Sequence, residues 1–456
     1  MTVDRGVTVD SGNTASSGNT ASSGSTVSAS EVFPILRKNI LVDGFHVVID
    51  LEASDGTVIV DALTGVEYLD CYSYFATLPI GHNHPKMDDE GFRASLMRAA
   101  LANPANSDIY CSEFAAFVRT FRDLAVPDEF PHLFFIAGGA LAVENAMKAA
   151  FDWKAQHNRA RGIEGGADKI LHFREAFHGR SGYALSITNT EPVKIADFPK
   201  FDWPRVSNPK IRFPIDEAAV AEAEARSVRE IEEAFEGDPH GIAGILVEPL
   251  QGEGGDNHFR PEFLRELRRL ADERDALLLF DEVQTGMGVT GAMWAFQKLG
   301  VTPDIVAFGK KTQVCGIMST DRIDEIPTNV FAVSSRINST WGGNLVDMVR
   351  CARYLQIMEE DGLVENAARV GEQFRKGLVG LEEEFEPVSN ARGLGLLLAF
   401  DMPDGEARGA LRARCWDAGL AVLTCGSRSV RFRPSLIFSA SDVDRAIAIL
   451  REALRG

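Results

Sequence analysis

Apolar and polar positions change rhythm three times along this chain. Up to about residue 28 apolar side chains are scarce, and SGNTAS at 11–16 recurs at 17–22 within a Ser/Thr/Gly/Asn tract. Such a segment buries too little apolar surface to offset its ordering entropy, so residues 1–28 read as a disordered tail outside the chemistry. From Val32 the pattern is globular, and HVVIDLEASDGTVIVDA predicts a hairpin turning at Asp55-Gly56. The middle of the chain alternates solidly apolar runs with helical stretches. The runs are LFFI (133–136), ILHF (170–173), GIAGILVEPL (241–250), ALLLFDEV (276–283) and DIVAFGKK (304–311). A helix follows the first from about 140, and PEFLRELRRLADER (261–274) is amphipathic. Strands apolar on both faces are buried on both faces, which predicts an α/β fold with a mostly parallel sheet covered by helices. Ligands of such sheets sit beyond the carboxyl ends of the strands, so the residues just after each run carry the interest.

The rhythm changes again near 345. Residues 345–384 read as helical, followed by a strand LGLLLAF (394–400), a helix near 406–418, AVLTCG (421–426), VRFRP (430–434) and a last helix from Ser441. This predicts a smaller α+β unit, and no repeat of solenoid period is present.

Composition narrows the function. At 456 residues the chain has room for two or three domains, and 45% hydrophobic with 25% charged residues is ordinary for a globular protein. The formal charge of −19 makes nucleic acid and anionic membranes poor partners. Six scattered cysteines form no C-x-x-C pair, so neither a metal site nor a disulfide framework is implied and a cytoplasmic location is expected. No apolar run approaches 18 residues, and no apolar leader opens the chain, so neither a membrane span nor a secretory signal is expected.

Several strand ends carry candidate chemistry. Lys310 follows the run DIVAFG; desolvation there lowers an ammonium pKa, and a neutral amine attacks an aldehyde. Asp281 ends ALLLFD, where an unpaired carboxylate is costly and a protonated pyridine nitrogen is a suitable partner. Gln284, three residues on, is placed to bond a phenolic oxygen on such a ring. In FIAGGALAVENAMK (135–148) a strand runs through glycines into a helix, whose free N–H groups suit a phosphate. Phe177 offers a stacking face, Arg180 a carboxylate fork, and Glu253 lies among glycines that let backbone approach a ligand. Taken singly, each has a plainer explanation: a solvated strand-end lysine, an aspartate capping a turn, a core phenylalanine, a surface arginine.

Together these segments resemble the class III aminotransferases, the ω-aminotransferase branch of the fold-type-I pyridoxal-phosphate enzymes. The resemblance runs from about residue 33 to the end. It rests on G-G-A-x-A-V-E (138–144), F-H-G-R (177–180), E-P-x-Q-G-E-G (248–254), D-E-V-Q-T-G (281–286), P-D-I-x-x-x-G-K (303–310) and the Thr before Gly-Gly-Asn (340–344). Within the family, QGEGGDNHFR (251–260), FGKKTQVCG (308–316) and NSTWGGN (338–344) are similar to the lysine ε-aminotransferase branch. The resemblance implies a large pyridoxal 5'-phosphate domain over 76–344, a small C-terminal domain over 345–456, and an N-terminal segment 29–75 packing with the latter. It implies that Lys310 carries the cofactor as a Schiff base, with Lys311 the less favoured neighbour. Asp281 would pair with the ring nitrogen, Phe177 stack on the ring, Gln284 contact its oxygen, and Gly138, Gly139 and Ala140 hold the phosphate. Thr340 would reach that phosphate from the second subunit of a homodimer.

The implied reaction is ping-pong transfer of the ε-amine of L-lysine to 2-oxoglutarate. Arg180 would bind the distal carboxylate and Arg431 the α-carboxylate of 2-oxoglutarate, with Glu253 neutralising Arg431 while the amino donor is bound. Many family members carry hydroxyl side chains where Gly138 and Ala140 stand, so phosphate binding here would lean on backbone N–H groups and Thr340. Three rival readings follow: an ω-aminotransferase for 4-aminobutyrate, ornithine or diaminobutyrate; a decarboxylase, mutase or racemase on the same fold; and a cofactor-binding regulator without turnover.

Overall fold

The computed structural model describes residues 27–456; the tail expected over 1–28 lies outside the described residues but for its last two positions. The central apolar runs pair into one seven-stranded sheet. In chain order its strands are β1 His132–Ile136, β2 Lys169–Phe173, β3 Arg205–Val206, β4 Ile242–Val247, β5 Leu277–Asp281, β6 Ile305–Phe308 and β7 Cys315–Ser319. Across the sheet they lie in the order β1-β7-β6-β5-β4-β2-β3. From β6 through to β3 every pairing is parallel, whereas β7 runs antiparallel to both β6 and β1. The sequence reading gives β7 no place. Only residues 309–314 separate it from β6, too few for the crossover that a parallel return needs.

Every residue of β4, β5, β6 and β7 is buried, because helices cover both faces. Strand alternation divides the side chains. Leu277, Leu279, Ile305 and Ala307 meet helix α1, Gly139–Ala160, through its Ala142, Ala146, Ala149, Ala150 and Trp153. Leu278, Phe280, Val306 and Phe308 face the opposite way, toward Phe117, Phe121 and the Leu264 and Leu267 side chains of helix α2, Pro261–Glu273. Each such fully buried Leu or Phe contributes about 1.5–3 kcal/mol, so this double-sided core fixes the strand ends rigidly.

The C-terminal region begins with α3, Leu345–Glu360, and α4, Leu363–Glu384. The stretch expected to be helical throughout breaks at Gly362, whose φ of 60° is left-handed. A four-stranded antiparallel sheet follows, ordered β8-β9-β11-β10, from β8 Ser389–Leu394, β9 Leu397–Asp401, β10 Leu423–Cys425 and β11 Ser429–Phe432. Helices α5, Gly405–Asp417, and α6, Ala440–Arg455, complete it. LGLLLAF, expected as one strand, is instead a hairpin corner: Gly395 turns with φ 59°, ending β8 and starting β9. AVLTCG also divides. Leu420–Ala421 pairs in parallel with Glu67–Asp70 in a separate three-stranded sheet, which ties residues 58–70 to the C-terminal unit. The turn expected at Asp55-Gly56 is present, with Asp55 and Val58 exchanging both backbone hydrogen bonds, but the arm before it meets the arm after it only through isolated bridges such as Ile49 opposite Asp61. The regular ladder of this region is Val58–Val60 against Glu67–Asp70, across a later turn. Asp61 closes that later turn by accepting from the N–H groups of Val48 and Leu63 and from the Thr64 hydroxyl.

Candidate active site

The carboxyl ends of β1, β5 and β6 open onto one cavity of about 210 Å³. Gly139, Ala140, Phe177, Asp281, Gln284 and Lys310, all singled out in the sequence, line it. Asp281 ends β5 with its carboxylate pinned on both oxygens. Oδ2 lies 2.8 Å from His178 Nδ1, and Oδ1 accepts from the Val283 N–H at 3.0 Å. Lys310 stands just beyond β6 with φ 53°, a left-handed conformation that a residue with a Cβ rarely adopts and that the packed strand end must hold. Burial lowers the pKa of its amine; the Asp281 charge opposes this and that of Arg431 assists it.

The two adjacent lysines are separated by direction. Lys311 is buried away from the cavity and donates to the Gln284 carbonyl at 2.7 Å. Gly138 forms the N-cap of α1 with φ 105° and offers no side-chain cap, so the first N–H groups of a 22-residue helix are left for an anion.

Substrate-side residues stand at greater reach. Arg431, 2% exposed, donates from Nη2 to Glu253 Oε2 at 2.7 Å, and its buried Nε has no hydrogen-bond partner among the described residues. Burial pushes the Glu253 carboxyl up, but Arg431 and Lys194 outweigh it and bring the pKa down to about 2. A carboxyl depressed in the fold contributes stability above its unfolded pKa and loses it only as pH falls toward 2. The pair is therefore charged at any working pH. Arg180 is exposed, with its guanidinium 6.0 Å from the Phe177 ring centre. Thr340 is exposed and does not line the cavity, and Gly138 caps the helix without lining it.

Four residues without an assigned role in the sequence reading complete the site. His178, fully buried, braces Asp281. Glu248 accepts from the Phe177 and Gly252 N–H groups, and burial raises its pKa to about 7. Arg433 donates to Gln284 Oε1 at 3.0 and 2.8 Å and is itself paired with Asp256. The Gln284 oxygen is thereby occupied and its NH2 left to donate. Arg433 stands just past the end of β11, two residues from Arg431, so period-two reading of V-R-F-R-P finds it. Lys194 joins Glu253 from a distant turn, with no local pattern to announce it.

A carboxylate at the floor, free helix N–H groups, an aromatic face and a desolvated lysine amine are together complementary to a flat ligand. That ligand has a basic ring nitrogen, a phosphate and an aldehyde, and pyridoxal 5'-phosphate has all three. Fold and site thus define a fold-type-I pyridoxal-phosphate enzyme. More particularly, the chain belongs to the class-III aminotransferases, whose family model matches residues 42–454. The chain is 52% identical to the L-lysine-epsilon aminotransferase of Mycobacterium tuberculosis over 428 residues, 93% of this chain and 95% of that one. It is 48% identical to the L-lysine-epsilon aminotransferase of Streptomyces clavuligerus over 431 residues, 93% and 94% of the two chains. Its fold superposes on the lysine aminotransferase of M. tuberculosis in the internal aldimine form with a TM-score of 0.93 at 52% identity, covering 94% and 99% of the chains.

Gly179 tests the phosphate cradle. Its φ is 126°, and an added Cβ would overlap the Ala140 methyl. Gly179→Ala is expected to weaken pyridoxal phosphate binding roughly tenfold, about 1.4 kcal/mol, in titrations of the apoprotein, with little change in helix content.

Proposed function

We propose that this enzyme transfers the ε-amino group of L-lysine to 2-oxoglutarate, giving 2-aminoadipate 6-semialdehyde and L-glutamate in a ping-pong cycle. The observation that carries this reading is the Glu253–Arg431 pair beside the Lys310–Asp281 cavity, close enough for both charges to act on the Lys310 amine. The donor and acceptor pose opposite demands. Lysine brings its reacting amine far from its carboxylate, so a bare Arg431 beside it is an uncompensated cation, and Glu253 neutralises it. 2-Oxoglutarate brings a carboxylate next to the reacting carbon, and Arg431, with an unused Nε donor, is suited to take it. Arg180 is suited to the carboxylate at the far end of either substrate.

When bound, pyridoxal phosphate supplies an aldehyde that condenses with the amine and a protonated ring that accepts the electrons of the broken C–H bond. Asp281, held by His178, keeps the proton on the ring nitrogen. Lys310 Nζ, with its pKa lowered by burial, would take the proton from lysine Cε and give it up to the former aldehyde carbon, C4′, of the cofactor. Phe177, held through its N–H by Glu248, presents its ring to the cavity, and the Gln284 NH2 is left free to donate there.

Relatives at 48–52% identity named for lysine support this donor over 4-aminobutyrate, ornithine or diaminobutyrate. The Arg180, Glu253 and Arg431 set suits a two-carboxylate acceptor, which a decarboxylase or racemase does not need. Turnover with 2-oxoglutarate across a panel of amino donors tests the reading. L-Lysine should give the highest kcat/KM with glutamate as co-product; a higher value for ornithine or 4-aminobutyrate, or no glutamate, overturns it.

The working unit in this reading is a homodimer in the cytoplasm. Thr340 is exposed on its own chain, as a residue destined for the phosphate of a second copy should be. Leu101, Ile109 and Tyr110, close in sequence, each leave more than two-thirds of their surface uncovered, apolar area that a second copy would cover. Six free thiols suit a reducing compartment, and no helix among the described residues is long and apolar enough to cross a membrane.

A further inference from the structure

Glu253 is held by two cations, one on each oxygen. Oε2 accepts from Arg431 at 2.7 Å, and Oε1 accepts from Lys194 Nζ at 2.6 Å. Lys194 closes the short 3-10 turn Pro192–Lys194, remote in sequence from β11 and from the glycine loop that carries Glu253. Its side chain is only 8% exposed, uncommon for a lysine, so a long cationic chain has been drawn inward to reach one carboxylate. The ammonium also lies 5.3 Å over the Phe177 ring and 3.4 Å from the half-exposed Glu191.

The main chain around Glu253 is pinned. The Gly426 N–H donates to the Glu253 carbonyl at 2.9 Å, and a Cβ on Gly254 would overlap the Glu175 carbonyl. Any movement of the carboxylate away from Arg431 therefore belongs to the side chain.

We infer that Lys194 is the pivot of this movement: Glu253 leaves Arg431 for an incoming acceptor by turning about its bond to the Lys194 ammonium, so that it always keeps one cation. The inference rests on the dual-substrate reading above and adds a positioning residue to it. Without such a pivot, the carboxylate that yields Arg431 to a substrate is a part-buried charge with no partner, which is costly. Lys194 thus favours the acceptor-bound arrangement, in which it is the sole remaining cation on Glu253. It matters less to the donor-bound arrangement, in which Arg431 already pairs with Glu253.

The test is a split between substrates. Lys194→Met in the cofactor-loaded protein should raise the KM for 2-oxoglutarate about tenfold or more, while the KM for lysine moves less than about threefold. Glutarate, an unreactive dicarboxylate, should lose affinity in parallel when its binding is followed by calorimetry. Lys194→Arg, which restores a cation, should recover most of both. Equal changes in the two KM values, unchanged glutarate binding, or no rescue by arginine would overturn the pivot. The wild-type protein separates this from the parent reading. If wild type fails to use lysine with 2-oxoglutarate, the parent reading falls; if wild type behaves and only the variants depart from the pattern, the pivot falls.

Discussion

Lys310→Ala is expected to lower turnover of lysine with 2-oxoglutarate by about four orders of magnitude, the upper range for loss of a positioned acid–base group. The substitution removes the one desolvated amine that lines the cavity. Lys311 cannot substitute for it, because its amine is buried away from the cavity and committed to the Gln284 carbonyl. Purified Lys310→Ala should therefore fold and still bind pyridoxal phosphate through the helix N–H groups and Asp281, but without the absorbance of the protein-linked cofactor. Rates within tenfold of wild type would mean that the proton moves by another route.

Asp281→Asn is the second large effect. Asparagine has nearly the same shape and still offers an oxygen to the Val283 N–H, so a turn-capping role would survive the change. The ring-nitrogen role would not. The charge that holds a proton on a pyridine nitrogen is lost, and His178 Nδ1 faces a neutral amide in place of a carboxylate. Loss of one preorganised electrostatic partner predicts a drop in kcat of about 10²–10³-fold, or roughly 3–4 kcal/mol. Unchanged kcat in Asp281→Asn, measured at saturating cofactor, would assign Asp281 to the turn alone.

The strands and their chemistry were legible for one reason. A strand apolar on both faces is a central strand, and a polar residue at its end has few places to go other than the ligand cleft. Asp281 and Lys310 both follow from that rule. β7 escaped because CGIMS carries small residues and no long apolar run, and its direction is set by a tight return rather than by pattern. The corner at Gly395 escaped because apolar residues continue across it. The supporting residues of the site were harder still. His178 meets Asp281 across 103 positions, and Arg433 meets Gln284 across 149; neither pairing leaves a periodic trace. Lys194 reads as a surface lysine after a proline until the fold brings Glu253 to it.

These placements share a logic. Asp281 and Lys310 stand at the ends of rigid strands, whereas His178, which braces Asp281, and Arg433, which bonds Gln284, come from a loop and from the edge of the C-terminal sheet. Substitutions in that outer set should shift affinities and pH profiles more than they abolish turnover.

Covalent trapping shows whether one amine at the end of β6 holds the cofactor. The purified holoenzyme is reduced with borohydride, digested, and the pyridoxyl-bearing peptide sequenced by mass spectrometry. A single modified site at Lys310 is expected. Modification of Lys311 or of any other lysine, or an unmodified chain, would contradict it.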